Sequence, residues 1–150
     1  MYTIDASVWI NSFDEREAGH EISEQLLDIL TFHEVDIFIP NLVFIEIASA
    51  ISRRHGNRDA AETFTNAVRA LPGLTAVPLD EELERQATTI AINQALRGAD
   101  AVYAVVAVQY ECTLVSLDNE HLTRLAGVVE TRTPADLLTE LTAPQAPETD

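Results

Sequence analysis

Hydrophobic positions along the chain switch repeatedly between two periods, one suited to short buried strands and one to amphipathic helices. Tyr2-Thr3-Ile4-Asp5 reads as a short buried strand ending in a polar residue, and Ser7 or Asn11 is expected to cap the helical stretch that follows. Between Ala18 and Leu30, Ile22, Leu26, Leu27, Ile29 and Leu30 recur at helical spacing. Asp36 to Ile39 is a β-rich run that Pro40 should stop. Asn41 then opens a helix to about His55 with Gly56 as its C′ residue, and another runs from about Arg58 to Leu71, closed by Pro72-Gly73.

The second half repeats this alternation. Leu74 to Val77 reads as a strand, Asp80 opens a helix reaching Leu96, and Gly98 breaks it. Ala99 to Tyr110 is rich in Ala and Val, and its length favours a buried helix over a strand. Thr113 to Leu117 is the next strand, Asp118 to Leu125 a short helix, Val128 to Thr131 the last strand, and Pro134 fits the first turn of a terminal helix. Alternating strands and helices predict an α/β fold, a three-layer α/β/α sandwich around a central, mostly parallel sheet. Residues 1–141 are expected to form one domain and residues 142–150, rich in Pro and polar side chains, a flexible tail. There is no internal repeat and no linker between domains.

Composition narrows the function classes. With 150 residues and 47% hydrophobic content, the chain can fill a single core. No segment approaches the ~20 apolar residues needed to span a bilayer, and no basic stretch leads into an apolar one at the N-terminus. A cytoplasmic location without membrane association is therefore expected. Cys112 is the only cysteine, which excludes an intrachain disulfide or a cysteine-based zinc site. All 9 basic residues are Arg, against 25 acids, giving a formal charge of −16 that repels nucleic acid at long range. The absence of Lys removes the P-loop, which needs a Gly-rich turn and a Lys, and the receiver-type acidic pocket, which relies on Lys as well.

Most of these acids read as a solvated surface, but four do not. Glu46 lies in Leu42-Val43-Phe44-Ile45-Glu46-Ile47-Ala48, a helical stretch whose other residues are apolar. A carboxylate buried there must be protonated, paired with Arg53 or another Arg, or bound to a cation. Asp100 opens an otherwise uncharged helix, where a first-turn acid or a cap is the simple alternative. Asp5 and Asp118 both fall at the carboxyl ends of expected strands, where parallel sheets place their ligands, although each also suits a turn or cap. Four carboxylates meeting in one pocket would repel one another unless a divalent cation neutralised them, and oxygen-only ligands select Mg²⁺ or Mn²⁺. Such ions commonly bind substrate phosphates too, which points to phosphodiester chemistry.

The stretches Ile4-Asp5-Ala6-Ser7, Val43-Phe44-Ile45-Glu46-Ile47-Ala48, Arg97-Gly98-Ala99-Asp100-Ala101-Val102-Tyr103-Ala104 and Leu114-Val115-Ser116-Leu117-Asp118 resemble, in order, the four acidic motifs of PIN-domain ribonucleases. Val129-Glu130-Thr131-Arg132-Thr133-Pro134 resembles the end of that family, so the likeness runs from about Met1 to Leu141. The small size is similar to the VapC group, the toxins of toxin–antitoxin pairs. That resemblance implies Mg²⁺- or Mn²⁺-dependent endonucleolytic cleavage of RNA, a homodimer, and inhibition by a small antitoxin protein. It further implies that Asp5, Glu46, Asp100 and Asp118 are the catalytic, metal-coordinating set, that Ser7 and Ser116 support them, and that Asn119 and Glu120 contribute through water.

Arg97 and Arg53, with Arg54 and Arg58, are the candidates for holding RNA phosphate, with pairing to surface acids as the alternative. His121 can hydrogen-bond near Asp118 but reads as an ordinary, partly exposed histidine, and Tyr103 reads as a core or dimer contact. Two other functions fit less well. A catalytically idle PIN-like module that binds RNA or protein need not keep all four acids. A phosphohydrolase of the haloacid-dehalogenase type needs an Asp-x-Asp pair, and Asp5 is followed by Ala6-Ser7.

Overall fold

β-branched runs form the strands because their side chains pack well on a pleated surface, and the helices between them carry the 3.6-residue repeat. In the computed structural model, which describes residues 1–143, the strands are β1 (Tyr2–Ile4), β2 (Ile37–Pro40), β3 (Leu74–Val77), β4 (Thr113–Val115) and β5 (Thr131–Arg132). The helices are α1 (Ala6–Phe13), α2 (His20–Phe32), α3 (Leu42–His55), α4 (Arg58–Arg69), α5 (Glu81–Gln94), α6 (Gly98–Gln109), α7 (Asn119–Leu125) and α8 (Pro134–Thr142). The strands make one sheet in the order β3-β2-β1-β4-β5, with every neighbouring pair parallel. This is the expected α/β/α sandwich.

The layers follow from side-chain chemistry. Every residue from Ala101 to Ala107 on α6 is buried, because a helix apolar on all sides has no face to give to water. α6 packs on β1, β2 and β4 and is covered by α5. Elsewhere α1 packs on α2 and α3, α3 on α4, and α2 on α8. From β1 the chain builds outward through β2 and β3, then returns to place β4 on the other side of β1. The order therefore reverses between β1 and β4, and a ligand crevice forms at the carboxyl ends of the strands where such a reversal occurs. The register Ile4↔Val115 sets those two ends level.

Several local expectations change. Asp5, not Ser7 or Asn11, caps α1: its carboxylate accepts the Ser7 N–H at 3.2 Å, since a residue at the strand end is already in the extended conformation that a cap requires. Asn11 is buried instead between α1 and α2, donating to the Ala18 carbonyl at 3.0 Å and accepting from the Ser23 hydroxyl at 2.7 Å. Pro40 does not stop β2 from outside but forms its last residue. Gly98 begins α6, and the break falls earlier, at Ala95, whose φ of 52° ends α5. The last strand is Thr131–Arg132 and not Val128 to Thr131, because the Val128 and Val129 N–H groups turn back to the Leu125 carbonyl at 2.8 and 3.1 Å. Of the expected tail, Thr142 ends α8 and Ala143 follows it; residues 144–150 lie outside the described residues.

Glu46 sits between two isoleucines of opposite fate, since Ile47 is fully buried and Ile45 is 68% exposed. Ile47→Ala should lower the unfolding free energy by about 2–5 kcal/mol in urea denaturation, and Ile45→Ala by no more than about 0.5. Equal costs for the two would contradict the orientation of α3.

Candidate active site

β1 and β4 end side by side, and each hands the chain to a helix through an aspartate. The Asp5 N–H donates to the Val115 carbonyl at 2.9 Å, carrying the sheet one residue further, and its side chain is almost buried. Asp5 Oδ2 accepts from the Ser7 N–H and hydroxyl and from the Ser116 hydroxyl at 3.1 Å. The two serines also reach the loop after β4. Ser7 Oγ accepts the Leu117 N–H at 3.1 Å, and Ser116 Oγ accepts the Asp118 N–H at 3.0 Å. Both hydroxyls thus donate to Asp5 while bracing the segment that carries Asp118.

Asp118 caps α7, its Oδ1 accepting the Glu120 and His121 N–H groups at 2.9 and 3.2 Å. Asp118 Oδ2 lies 3.7 Å from an Arg97 guanidinium nitrogen, and Arg97 also reaches Glu120 at 3.9 Å. Asp100 occupies the first turn of α6, where the free N–H groups favour a negative charge. Three residues on, and so on the same face, Tyr103 donates its hydroxyl to Glu46 of α3 at 2.6 Å. Glu46 has no arginine partner among the described residues, so the pairing with Arg53 does not occur.

The electrostatics record how close these groups lie. Burial raises the pKa of Glu46 above the usual carboxylate range, the charges of Asp5 and Asp100 raise it further, and the Tyr103 hydrogen bond works against them. Burial likewise raises Asp100, helped by Asp5 and Asp118 and opposed by His121 and Arg97. Asp5, Glu46, Asp100 and Asp118 line one open cavity of ≈ 440 Å³ with Ser7, Arg53 and Arg97. Ser116 lies buried beneath it, bonded to Asp5. Asn119 is exposed at the start of α7 and is not part of the cavity wall. Arg54 is engaged by Glu17, and Arg58 borders a separate hollow beside Ser52 and Glu62. A larger cavity of ≈ 670 Å³ opens beside Glu15, Glu17 and His20, but none of its acids is buried and it lies away from the strand ends.

The donor set is all oxygen and strongly anionic, which fits a hard divalent cation. Among the described residues no three of these side chains close into a ready-made cage. Mg²⁺ tolerates that, because it keeps several waters and takes only one or two carboxylates. Two residues differ from their sequence reading. Tyr103 is not only a core residue, since its hydroxyl holds Glu46; the Asp100–Tyr103 spacing was the available signal. His121 is 1% exposed, not partly exposed, and its Nε2 lies 3.2 Å from the Asp100 carbonyl oxygen.

The fold is shared with solved structures. VapC20 of Mycobacterium tuberculosis, described as a Sarcin-Ricin loop cleaving toxin, superposes with a TM-score of 0.73 at 22% identity, covering 88% of this chain and 99% of that one. A toxin–antitoxin complex from Klebsiella pneumoniae matches with a TM-score of 0.65 at 15% identity, covering 89% and 98%. VapBC2 from Rickettsia felis, bound to a DNA fragment from its promoter, matches at 0.66 and 11% identity, covering 88% and 97%. No curated protein matches the sequence. The PIN domain family profile matches residues 2–128, from the first residue of β1 to beyond α7 and across all four acids. The chain belongs to the PIN domain family.

Proposed function

We propose that the chain is a Mg²⁺- or Mn²⁺-dependent endoribonuclease that hydrolyses RNA phosphodiester bonds and acts in the cytoplasm as the toxin of a toxin–antitoxin pair. The observation that carries this reading is the meeting of Asp5, Glu46, Asp100 and Asp118, from four separate elements, in one cavity at the ends of β1 and β4. Carboxylates gathered in one half-buried cavity raise one another's pKa and favour a cation that shares their charge. Their oxygen atoms are the proposed ligands. When bound, the cation supplies activation of the attacking water and neutralises charge gathering on the phosphate. Ser7, Ser116 and Tyr103 hold the acids in place, and Arg97 and Arg53, at the cavity wall, are placed to meet RNA phosphates. The similar fold of a Klebsiella pneumoniae toxin–antitoxin complex supports a small antitoxin as partner.

A homodimer belongs to the same reading. Leu79 and Ile92 are 50% and 75% exposed and line a largely apolar groove with Leu42, Ala91 and Val102 along α5 and α6. Ile92→Glu should shift a dimer toward monomer in analytical ultracentrifugation and leave the fold intact. A wild-type protein that sediments as a monomer at all accessible concentrations would remove the dimer from the proposal.

The carboxylates make a second outcome predictable. Glu46 and Asp100 have raised pKa values, so without a cation the folded protein holds protons that the unfolded chain has released. Metal-free stability should therefore fall as pH rises from about 4 through those raised values. Mn²⁺ should restore the melting temperature at neutral pH. Glu46→Gln and Asp100→Asn should each flatten the metal-free decline and cut Mn²⁺-dependent RNA cleavage by about 100-fold or more, since even partners of metal ligands cost 10–100-fold when changed. Undiminished cleavage by wild-type protein in excess chelator would sink the proposal.

Tyr103→Phe deletes the bond that lowers the Glu46 pKa. The acidic limb of the pH–rate profile should then move to higher pH. An unmoved limb would separate Tyr103 from the ionisation that activity requires.

A further inference from the structure

His121 is a poor choice for the space it fills. Its ring is buried, and its Nδ1 has no hydrogen-bond partner, so an apolar side chain of similar size would carry no such cost. What the ring does have is Nε2 at 3.2 Å from the Asp100 carbonyl oxygen. A carbonyl only accepts, so Nε2 is the donor in this contact, and Nδ1 is left without a partner. The main chain of the same residue faces the other way, its N–H donating to Asp118 Oδ1 at 3.2 Å. One residue therefore holds the side chain of Asp118 and the backbone of Asp100, which come from different helices.

We propose that His121 is a positioning residue that sets the spacing of Asp100 and Asp118, and through it the affinity of the cavity for a divalent cation. The inference rests on the metal-dependent reading above. Arg97 bridges the same region, reaching Asp118 and Glu120, but it is 73% exposed and its contacts are 3.7 and 3.9 Å, so it fixes the separation only loosely. Asp100 belongs to the first turn of α6, whose Ala101–Ala107 stretch is buried in the core, and a bond to its carbonyl holds that turn against α7. Without the bond, α7 keeps its cap on Asp118 but loses its anchor on α6. Both acids remain, with one bond fewer setting their separation.

The test uses the full chain, Mn²⁺ as probe and isothermal titration as readout. His121→Leu fills the volume without the donor and should keep or raise the metal-free melting temperature while weakening Mn²⁺ binding about 10-fold or more. His121→Gln, which carries an N–H to about the same reach, should return the affinity to within about 3-fold of wild type. Wild-type-like affinity in His121→Leu, or equal losses in the two variants, would overturn the proposal. Should His121→Leu not fold, the wild-type protein decides: long-range ¹⁵N–¹H correlations must show the His121 proton on Nε2, and a proton confined to Nδ1 overturns the assignment. If the wild type itself binds no Mn²⁺, the metal-dependent reading fails, an outcome distinct from failure of the His121 variants alone.

Discussion

Like charges brought together in a half-buried cavity push apart, and the PIN fold of this chain is built so that they cannot. Asp5 is fixed by the sheet through its N–H on Val115 and by two serine hydroxyls. Asp118 is fixed by the two amides it caps, and Glu46 by the Tyr103 phenol. Each of these bonds spans one or two residues or joins elements already locked in the core. Repulsion among the acids is therefore borne by packed Val, Ile and Ala side chains and not by flexible loops. Burial first, and the neighbouring acids after it, raise the pKa values of Glu46 and Asp100.

Much of this was legible in the chain because the signals were local. The uncharged Ala/Val stretch after Asp100 announced a buried helix, and Glu46 stood out among Leu42, Val43, Phe44 and Ile47. Strand-end aspartates were readable from strand boundaries alone. The less legible parts depend on long-range packing. Tyr103 meets Glu46 across 57 positions, and its spacing from Asp100 gives its helix face but not its partner. His121 looked ordinary because its burial comes from α7 lying against α6, which periodicity in a seven-residue helix cannot reveal. The last strand shifted because the Leu125 carbonyl captured two valine amides, a capture with no sequence signature.

The charge balance gives this PIN domain an unusual exterior. Nine arginines stand against 25 acids, and several of those arginines are already engaged: Arg16 with Asp14, Arg54 with Glu17, Arg85 with Glu82 and Arg132 with Glu130 and Glu140. Arg53 and Arg97 are the two at the cavity wall. The cavity wall thus sets two arginines against four carboxylates, and added salt screens the charges around it.

The caps on α1 and α7 also limit how the cavity can bind. Asp5 commits Oδ2 to its hydroxyl and amide donors, and Asp118 commits Oδ1 to two amides. Each aspartate therefore has a single oxygen left to offer, and neither can chelate through both. An asparagine at position 118 could turn its carbonyl to the α7 amides and its NH₂ toward the cavity, preserving the helix while presenting a donor where the aspartate presents an acceptor. Architecture and chemistry at these two positions reside in different atoms of one carboxyl group, so one can be lost while the other survives.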